Sequence, residues 1–161
     1  MRIELETSDQ AAGIRTLLVE AFPTPVEADL VERLRDGGHA EIGLTAIVGD
    51  RVVGYILLSR MSAPMKALGL APVAVAAGKR RLGIGRSLIE AGLERARRAG
   101  WEAVFVLGEP DYYARFGFAV EEAAGYDTPY AGAYFMIASL TGNALPRRGR
   151  VDYAPPFASL S

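Results

Sequence analysis

Residues 2–6 alternate polar and apolar as Arg-Ile-Glu-Leu-Glu, which predicts a short strand, and Thr7-Ser8-Asp9 behind it supplies helix N-cap chemistry. A helix over about 9–22 follows, because Ile14, Leu17, Leu18 and Ala21 recur at helical spacing. Phe22-Pro23 ends it, since the residue before a proline is pushed out of the helical region. A second helix over about 25–36 carries Leu30, Val31 and Leu34 and stops at Gly37-Gly38. The character then changes: 42–61 is rich in β-branched and apolar residues around a Gly49-Asp50-Arg51 turn, the pattern of a β-hairpin.

A third apolar run, 68–75, contains Pro72, which would break a regular ladder and so predicts a bulge or a one-sided strand. From about 84 to 99 the spacing is helical, with Leu88, Ile89, Gly92, Leu93 and Ala96 on one face and charged residues on the other, and Gly100 as the cap. Residues 101–107 read as a buried strand and 109–116 as a short helix; Gly117-Phe118 turns the chain into a further strand, and 133–140 is the last strand. The order β-α-α-β-β-β-α-β-α-β-β holds one clear βαβ unit, 68–107, attached to a hairpin. It predicts an α/β fold with a mixed sheet and helices on both faces. No repeat or linker divides the chain, so 1–161 reads as a single domain with an irregular tail over about 142–161.

Composition narrows the chemistry. With no cysteine and one histidine, His39, there is no thiolate nucleophile and no histidine-rich metal cluster, so no metal is expected. The start lacks a basic region followed by an apolar run, and no apolar stretch approaches membrane-spanning length; the expectation is a cytoplasmic protein with no membrane partner. A formal net charge of −1 gives no global field for nucleic acid, and the basic runs 79–81, 95–98 and 147–150 lack interleaved aromatics, so no nucleic-acid partner is expected.

Any grip on an anion must therefore be local, and 79–88, Lys-Arg-Arg-Leu-Gly-Ile-Gly-Arg-Ser-Leu, is the place to look. A Walker loop fails, because Gly78-Lys79 is followed by Arg80, and a dinucleotide fingerprint fails at its third glycine, where Leu88 stands. What remains is Arg80-Arg81-Leu82-Gly83-Ile84-Gly85 at the first turn of a helix. Unpaired N–H groups and the helix dipole make such a loop a field for a pyrophosphate, which Lys79, Arg80, Arg81 and Arg86 would supplement. The glycines alone would equally fit a plain strand-to-helix turn beneath a solvated basic face.

Together with Tyr113-Ala-Arg-Phe-Gly117-Phe118 downstream, the loop resembles the signature of the GNAT acyltransferase superfamily, and 107–118 is similar to its YhbS-like branch. The resemblance is sharp over about 68–118. It implies a GNAT-like acyl-CoA N-acyltransferase fold in which parallel strands 68–75 and 101–107 splay apart around acetyl-CoA. It further implies that main-chain groups of Val73, Ala74 and Val75 bind the pantetheine arm, and that Arg80, Arg81, Leu82, Gly83, Ile84 and Gly85 hold the pyrophosphate with Arg86 beside them. Ala77 stands where the family commonly has proline, and the asparagine often found near Val106 is missing.

The implied reaction is acetyl transfer to a primary amine of a small molecule or peptide by direct attack in a ternary complex, with Tyr113 as the general acid for the leaving thiolate. A non-catalytic acyl-CoA-binding or regulatory domain is the alternative, and a homodimer is compatible with the resemblance. No motif singles out a general base among His39, Glu41, Glu109 and Asp111. The aromatics Tyr126, Tyr130, Tyr134, Phe135, Tyr153 and Phe157 could finish a core or line the acceptor pocket.

Overall fold

A computed structural model describes residues 1–160 of the chain, with side chains through 158. Its elements are β1 (Arg2–Leu5), α1 (Ala11–Ala21), α2 (Val26–Asp36), β2 (Ala40–Val48), β3 (Arg51–Arg60), β4 (Ala67–Val75), α3 (Ile84–Arg98), β5 (Ala103–Leu107), α4 (Pro110–Tyr113), β6 (Tyr126–Asp127), β7 (Phe135–Ser139) and β8 (Gly149–Arg150). Among the described residues the main sheet has six strands in the order β1-β2-β3-β4-β5-β7. Every neighbouring pair is antiparallel except β4 and β5, which run parallel as a βαβ crossover requires.

The faces of β3 sort the helices. Gly54, Ile56 and Leu58 point to α3: a Cβ on Gly54 would lie 2.9 Å from Ile84 and Leu88, and one on Gly92 3.1 Å from Leu58. Leu88, Ile89 and Ala96 are fully buried there, each large one contributing about 1.5–3 kcal/mol of burial. Tyr55, on the opposite face, meets α2. Its hydroxyl donates to Glu6 Oε1 at 2.9 Å, and Arg35 Nε donates to Glu6 Oε2 at 3.1 Å. Burial first, and the Glu6 carboxylate second, push the Tyr55 phenol well above its ordinary range, so it stays a donor.

The expected bulge is present. Val73 opposes Ile56 and Leu70 opposes Leu58, so Ala71 and Pro72 together face Leu57, and β4 bends there. Two expectations from the sequence need correcting. Among the described residues no strand starts at Phe118; Ala119 makes one bridge to Ile137, and 121–123 is a single helical turn, since Glu121-Glu122 offers neither apolar alternation nor β-branching. The tail is also more ordered than its composition suggests. Tyr126 and Asp127 pair in parallel with Gly149 and Arg150, Asp152 bridges Ser62, and Ala154 and Phe157 join the main core.

The Glu6–Arg35–Tyr55 cluster is largely shielded from solvent, with Glu6 and Arg35 side chains 19% and 25% exposed. Glu6→Ala leaves a phenol and a guanidinium without their shared acceptor. It is expected to cost about 2 kcal/mol in urea unfolding with an unchanged m-value, and a change below about 0.5 kcal/mol would contradict this account.

Candidate active site

The site begins where β4 and β5 part. They pair at Ala67–Ala103, Leu68–Val104 and Gly69–Phe105; beyond that, β4 continues along β3 and β5 continues along β7. A wedge opens between them, with Gly69 and Phe105 at its apex. The Ala76 N–H donates to Val53 O at 2.8 Å, and the alternation of an antiparallel ladder then turns the main-chain groups of Ala74 to β3 and those of Val73 and Val75 into the wedge. Ala74 therefore contributes wall, while its two neighbours offer hydrogen-bonding groups.

At the wide end, a turn at Ala77–Lys79 leads to the loop before α3, whose N-cap is Gly83 at φ 78°. Arg81 also has a left-handed φ of 69°. Among the described residues, none of the N–H groups of Arg80, Arg81, Leu82, Gly83, Ile84, Gly85 and Arg86 donates to a backbone carbonyl; the first such bond in α3 is Ser87 N–H to Gly83 O at 3.0 Å. These donors border a cavity of about 400 Å³ that Lys79, Arg80, Arg81, Arg86 and Arg115 also line, with no carboxylate among its lining residues. The field there is positive, and the α3 dipole adds to it. Arg86 is partly engaged elsewhere, its Nε lying 2.7 Å from Glu90. Arg80 curls back towards Val75 O at 3.5 Å.

A second cavity, of about 280 Å³, shares Val75, Arg80, Gly85 and Tyr112 with the first and reaches Val73 and the end of α1 at Ala21 and Phe22. The two form one path from the loop along β4. Two larger hollows, of about 670 and 660 Å³, lie beside α1 and along the outer edge of β1 and α3; they hold neither the loop donors nor the tyrosines.

Tyr113 is 8% exposed. Its ring packs edge-on against Tyr112 at 5.1 Å and Phe118 at 5.7 Å, over the backbone of Gly108, where a Cβ would come within 2.4 Å of it. Burial, and after it the neighbouring Tyr112, push its phenol up to about 12. Among the described residues its hydroxyl has no hydrogen-bond partner. Of the candidate bases, His39 and Glu41 sit at the start of β2, with Glu41 3.7 Å from Arg60, two strands away from β4. Glu109 and Asp111 flank α4 at the end of β5 and are exposed.

Tyr112 and Arg115 were not singled out from sequence as cavity residues. Both lie in or beside the Tyr-x-x-x-Gly-Phe segment, and a basic residue at one of its variable positions was the available signal for Arg115, which stacks 5.2 Å above the Tyr112 ring. Among the described residues no cluster of His, Asp or Glu could hold a metal ion, and no helix is long and apolar enough to cross a membrane.

Residues 11–118, well over half of the chain, match the sequence pattern of the acetyltransferase (GNAT) family. The chain belongs to the GNAT family. It is 35% identical to the uncharacterized N-acetyltransferase YhbS of Escherichia coli K12, covering 98% of both chains, and 36% identical to YjhQ of the same organism, covering 91% and 88%. Its fold matches the crystal structure of E. coli YhbS in complex with CoA at a TM-score of 0.90 (31% identity, 98% and 91% covered). It matches a Brucella melitensis GNAT acetyltransferase in complex with acetyl-CoA at 0.82 (30% identity, 97% of both). This GNAT chain is accordingly an acyltransferase with acetyl-CoA as its co-substrate, and the mixed sheet with its splayed parallel pair is the family fold.

The loop's two glycines are expected to act differently. Gly83 has open space around it and needs glycine for its left-handed φ, whereas a Cβ on Gly85 meets only Tyr112 and Val75 at 3.6 Å and is tolerated by the empty fold. Gly83→Val is expected to weaken acetyl-CoA at least about tenfold by calorimetry. Gly85→Ala is expected to keep the wild-type Tm yet weaken it several-fold by narrowing the cavity. Lys79→Ala and Arg81→Ala, as single solvated charges, are expected to change Kd less than about threefold.

Proposed function

We propose that this enzyme transfers the acetyl group of acetyl-CoA to a primary amine of a small molecule or peptide by direct attack in a ternary complex, with Tyr113 as general acid. The observation that carries the reading is the continuity of the wedge. Main-chain groups of Val73 and Val75 that face away from β3, of which the Val75 carbonyl meets only the long Arg80 contact, lead on to N–H groups over 80–86 that donate to no backbone carbonyl and to the cations beside them. A pantetheine arm with its two amides suits the first stretch and a pyrophosphate the second. The CoA and acetyl-CoA held by the two similar crystal structures support the same ligand here.

Acetyl-CoA supplies an activated thioester. Attack by the amine forms the amide C–N bond and breaks the C–S bond; the electron pair leaves on sulfur and the amine loses a proton. A β4 N–H turned into the wedge, at Val73 or Val75, is suited to the developing oxyanion. Tyr113, buried and without a partner, is suited to give its proton or a hydrogen bond to the departing thiolate. Because its phenol is pushed up to about 12, it remains protonated at the alkaline pH where an alkylamine becomes neutral. Glu109 and Asp111, exposed at the start of α4 just beyond β5, are suited to relay the amine proton through water.

A thiol-release screen with polyamines, amino acids, aminoglycosides and peptide amines is expected to find an acceptor; acetyl-CoA binding without release on any of them would contradict the reading. With that acceptor, Tyr113→Phe is expected to lower kcat about 10²-fold. The rate should rise with pH as the amine deprotonates and show no falling limb near pH 10, where an ordinary tyrosine (pKa about 10) would ionise. A falling limb there that vanishes in Tyr113→Phe would keep Tyr113 as the acid and overturn only its raised phenol, whereas an unchanged kcat in Tyr113→Phe would overturn the assignment.

A further inference from the structure

The two edges of the six-stranded sheet are finished differently. At β7, Ile137 exchanges two main-chain hydrogen bonds with Ala119, at 2.9 and 3.2 Å, so the middle of that edge is covered. Among the described residues, β1 pairs only with β2. The Glu6 N–H donates to Gly43 O at 2.9 Å, and the alternation of an antiparallel ladder then turns the main-chain groups of Arg2 and Glu4 to β2 and those of Ile3 and Leu5 outward. An open edge of this kind is a template for another strand. The side chains alternate too. Ile3 and Leu5 face α3 beside Ala91 and Trp101, in the hollow of about 660 Å³ on that side, while Arg2 and Glu4 lie on the other face with their charges 3.5 Å apart. Large apolar side chains are left open at both ends of the segment: Met1 is 64% exposed and Leu5 49%.

We propose that the β1 edge is a dimer interface occupied by a second copy of this chain, whose β1 pairs antiparallel to the first with Ile3 opposite Ile3 on a two-fold axis. Hydrogen bonding, charge and apolar cover agree on that occupant and that register. Edge strands related by a two-fold axis hydrogen-bond antiparallel, and the two Ile3 residues, whose main-chain groups face outward, then exchange both of their bonds. Arg2 of each copy comes to lie opposite Glu4 of the other, which gives two complementary pairs on the face away from α3. Leu5 of each copy comes to lie opposite Met1 of the other, so the exposed apolar residues at the two ends cover one another. The nearest registers with the same hydrogen-bond phase fail on charge, because they set Arg2 against Arg2 or Glu4 against Glu4. The stretch Met-Arg-Ile-Glu-Leu is complementary to itself in one alignment. Strands β2 and β3 stand between this edge and β4, so the pairing is independent of the reading of the wedge.

The test is analytical ultracentrifugation of the full chain and of two charge reversals. The wild type is expected to sediment as a dimer. Arg2→Glu places like charges at both cross-strand pairs, as does Glu4→Arg, and each alone is expected to weaken the dimer at least about tenfold. An equimolar mixture of the two variants rebuilds both complementary pairs between unlike chains and is expected to return the dimer Kd to within about threefold of wild type. Mixing cannot restore the Arg2–Glu4 contact within a chain, so that recovery reports pairing between chains. Glu4→Arg also gives up the 3.0 Å hydrogen bond from Gln10; should it not fold, Ile3→Pro takes its place, because it removes an outward N–H without touching the β1–β2 ladder and is likewise expected to be monomeric. A wild type that stays monomeric at about 100 µM overturns the proposal. So does a dimer whose Kd is unchanged in Arg2→Glu, which would put the interface elsewhere, and so do two monomeric charge variants that remain monomers when mixed.

Discussion

Strands β4 and β5 run parallel but share a ladder only from Ala67–Ala103 to Gly69–Phe105, and the bulge at Ala71 and Pro72 then carries β4 away. A sheet interrupted in its middle leaves main-chain donors and acceptors on two inner edges, where folded proteins ordinarily pair nearly all of them. The interruption is tolerable because each strand keeps its outer partner: β3 holds β4 through Val75, and β7 holds β5 through Leu107. It is useful because the unpaired edge can be completed by a ligand with amides of its own. Everything else in the site follows from the direction in which that gap opens.

The wide end is built mainly of backbone. Positive φ at Arg81 and Gly83 turns successive N–H groups outward just before α3, a conformation suited to an anion. Side-chain cations accompany it in a protein whose formal net charge is −1, and Arg86 is already paired along its helix to Glu90. Any attraction for an anion is therefore short-ranged: the backbone donors are placed by the loop's conformation, and exposed cations add to a field that it would have without any one of them.

Much of this was legible in the sequence because it is written in local signals. Pro72 inside an apolar run announced the bulge, the spacing from Leu88 to Ala96 announced α3, and Gly83 and Gly85 marked the turn into it. The failures share one physical cause. Tyr112 and Arg115 stack on each other locally but border the loop cavity only because α4 lies beside Gly85, and no periodicity encodes a contact of that kind. The strand expected after Phe118 failed because Glu121 and Glu122 override a short apolar start. The tail read as irregular because the β6–β8 pair and the Ser62–Asp152 bridge span only a few residues each.

The two ends of the wedge consequently differ in how they can change. At the loop end the donors come from one continuous segment, 80–86, and are mostly peptide N–H groups, which side-chain substitution barely alters. At the narrow end, Gly69 from β4 and Tyr153 from the tail meet only by tertiary packing, and each is a side chain or the absence of one. Phe22, at the end of α1, reaches the same path from the opposite side. The Glu6–Arg35–Tyr55 cluster ties α2 to the sheet behind it. A fold that carries one end of this path in backbone groups and the other in separately tethered side chains can vary the second without loosening the first.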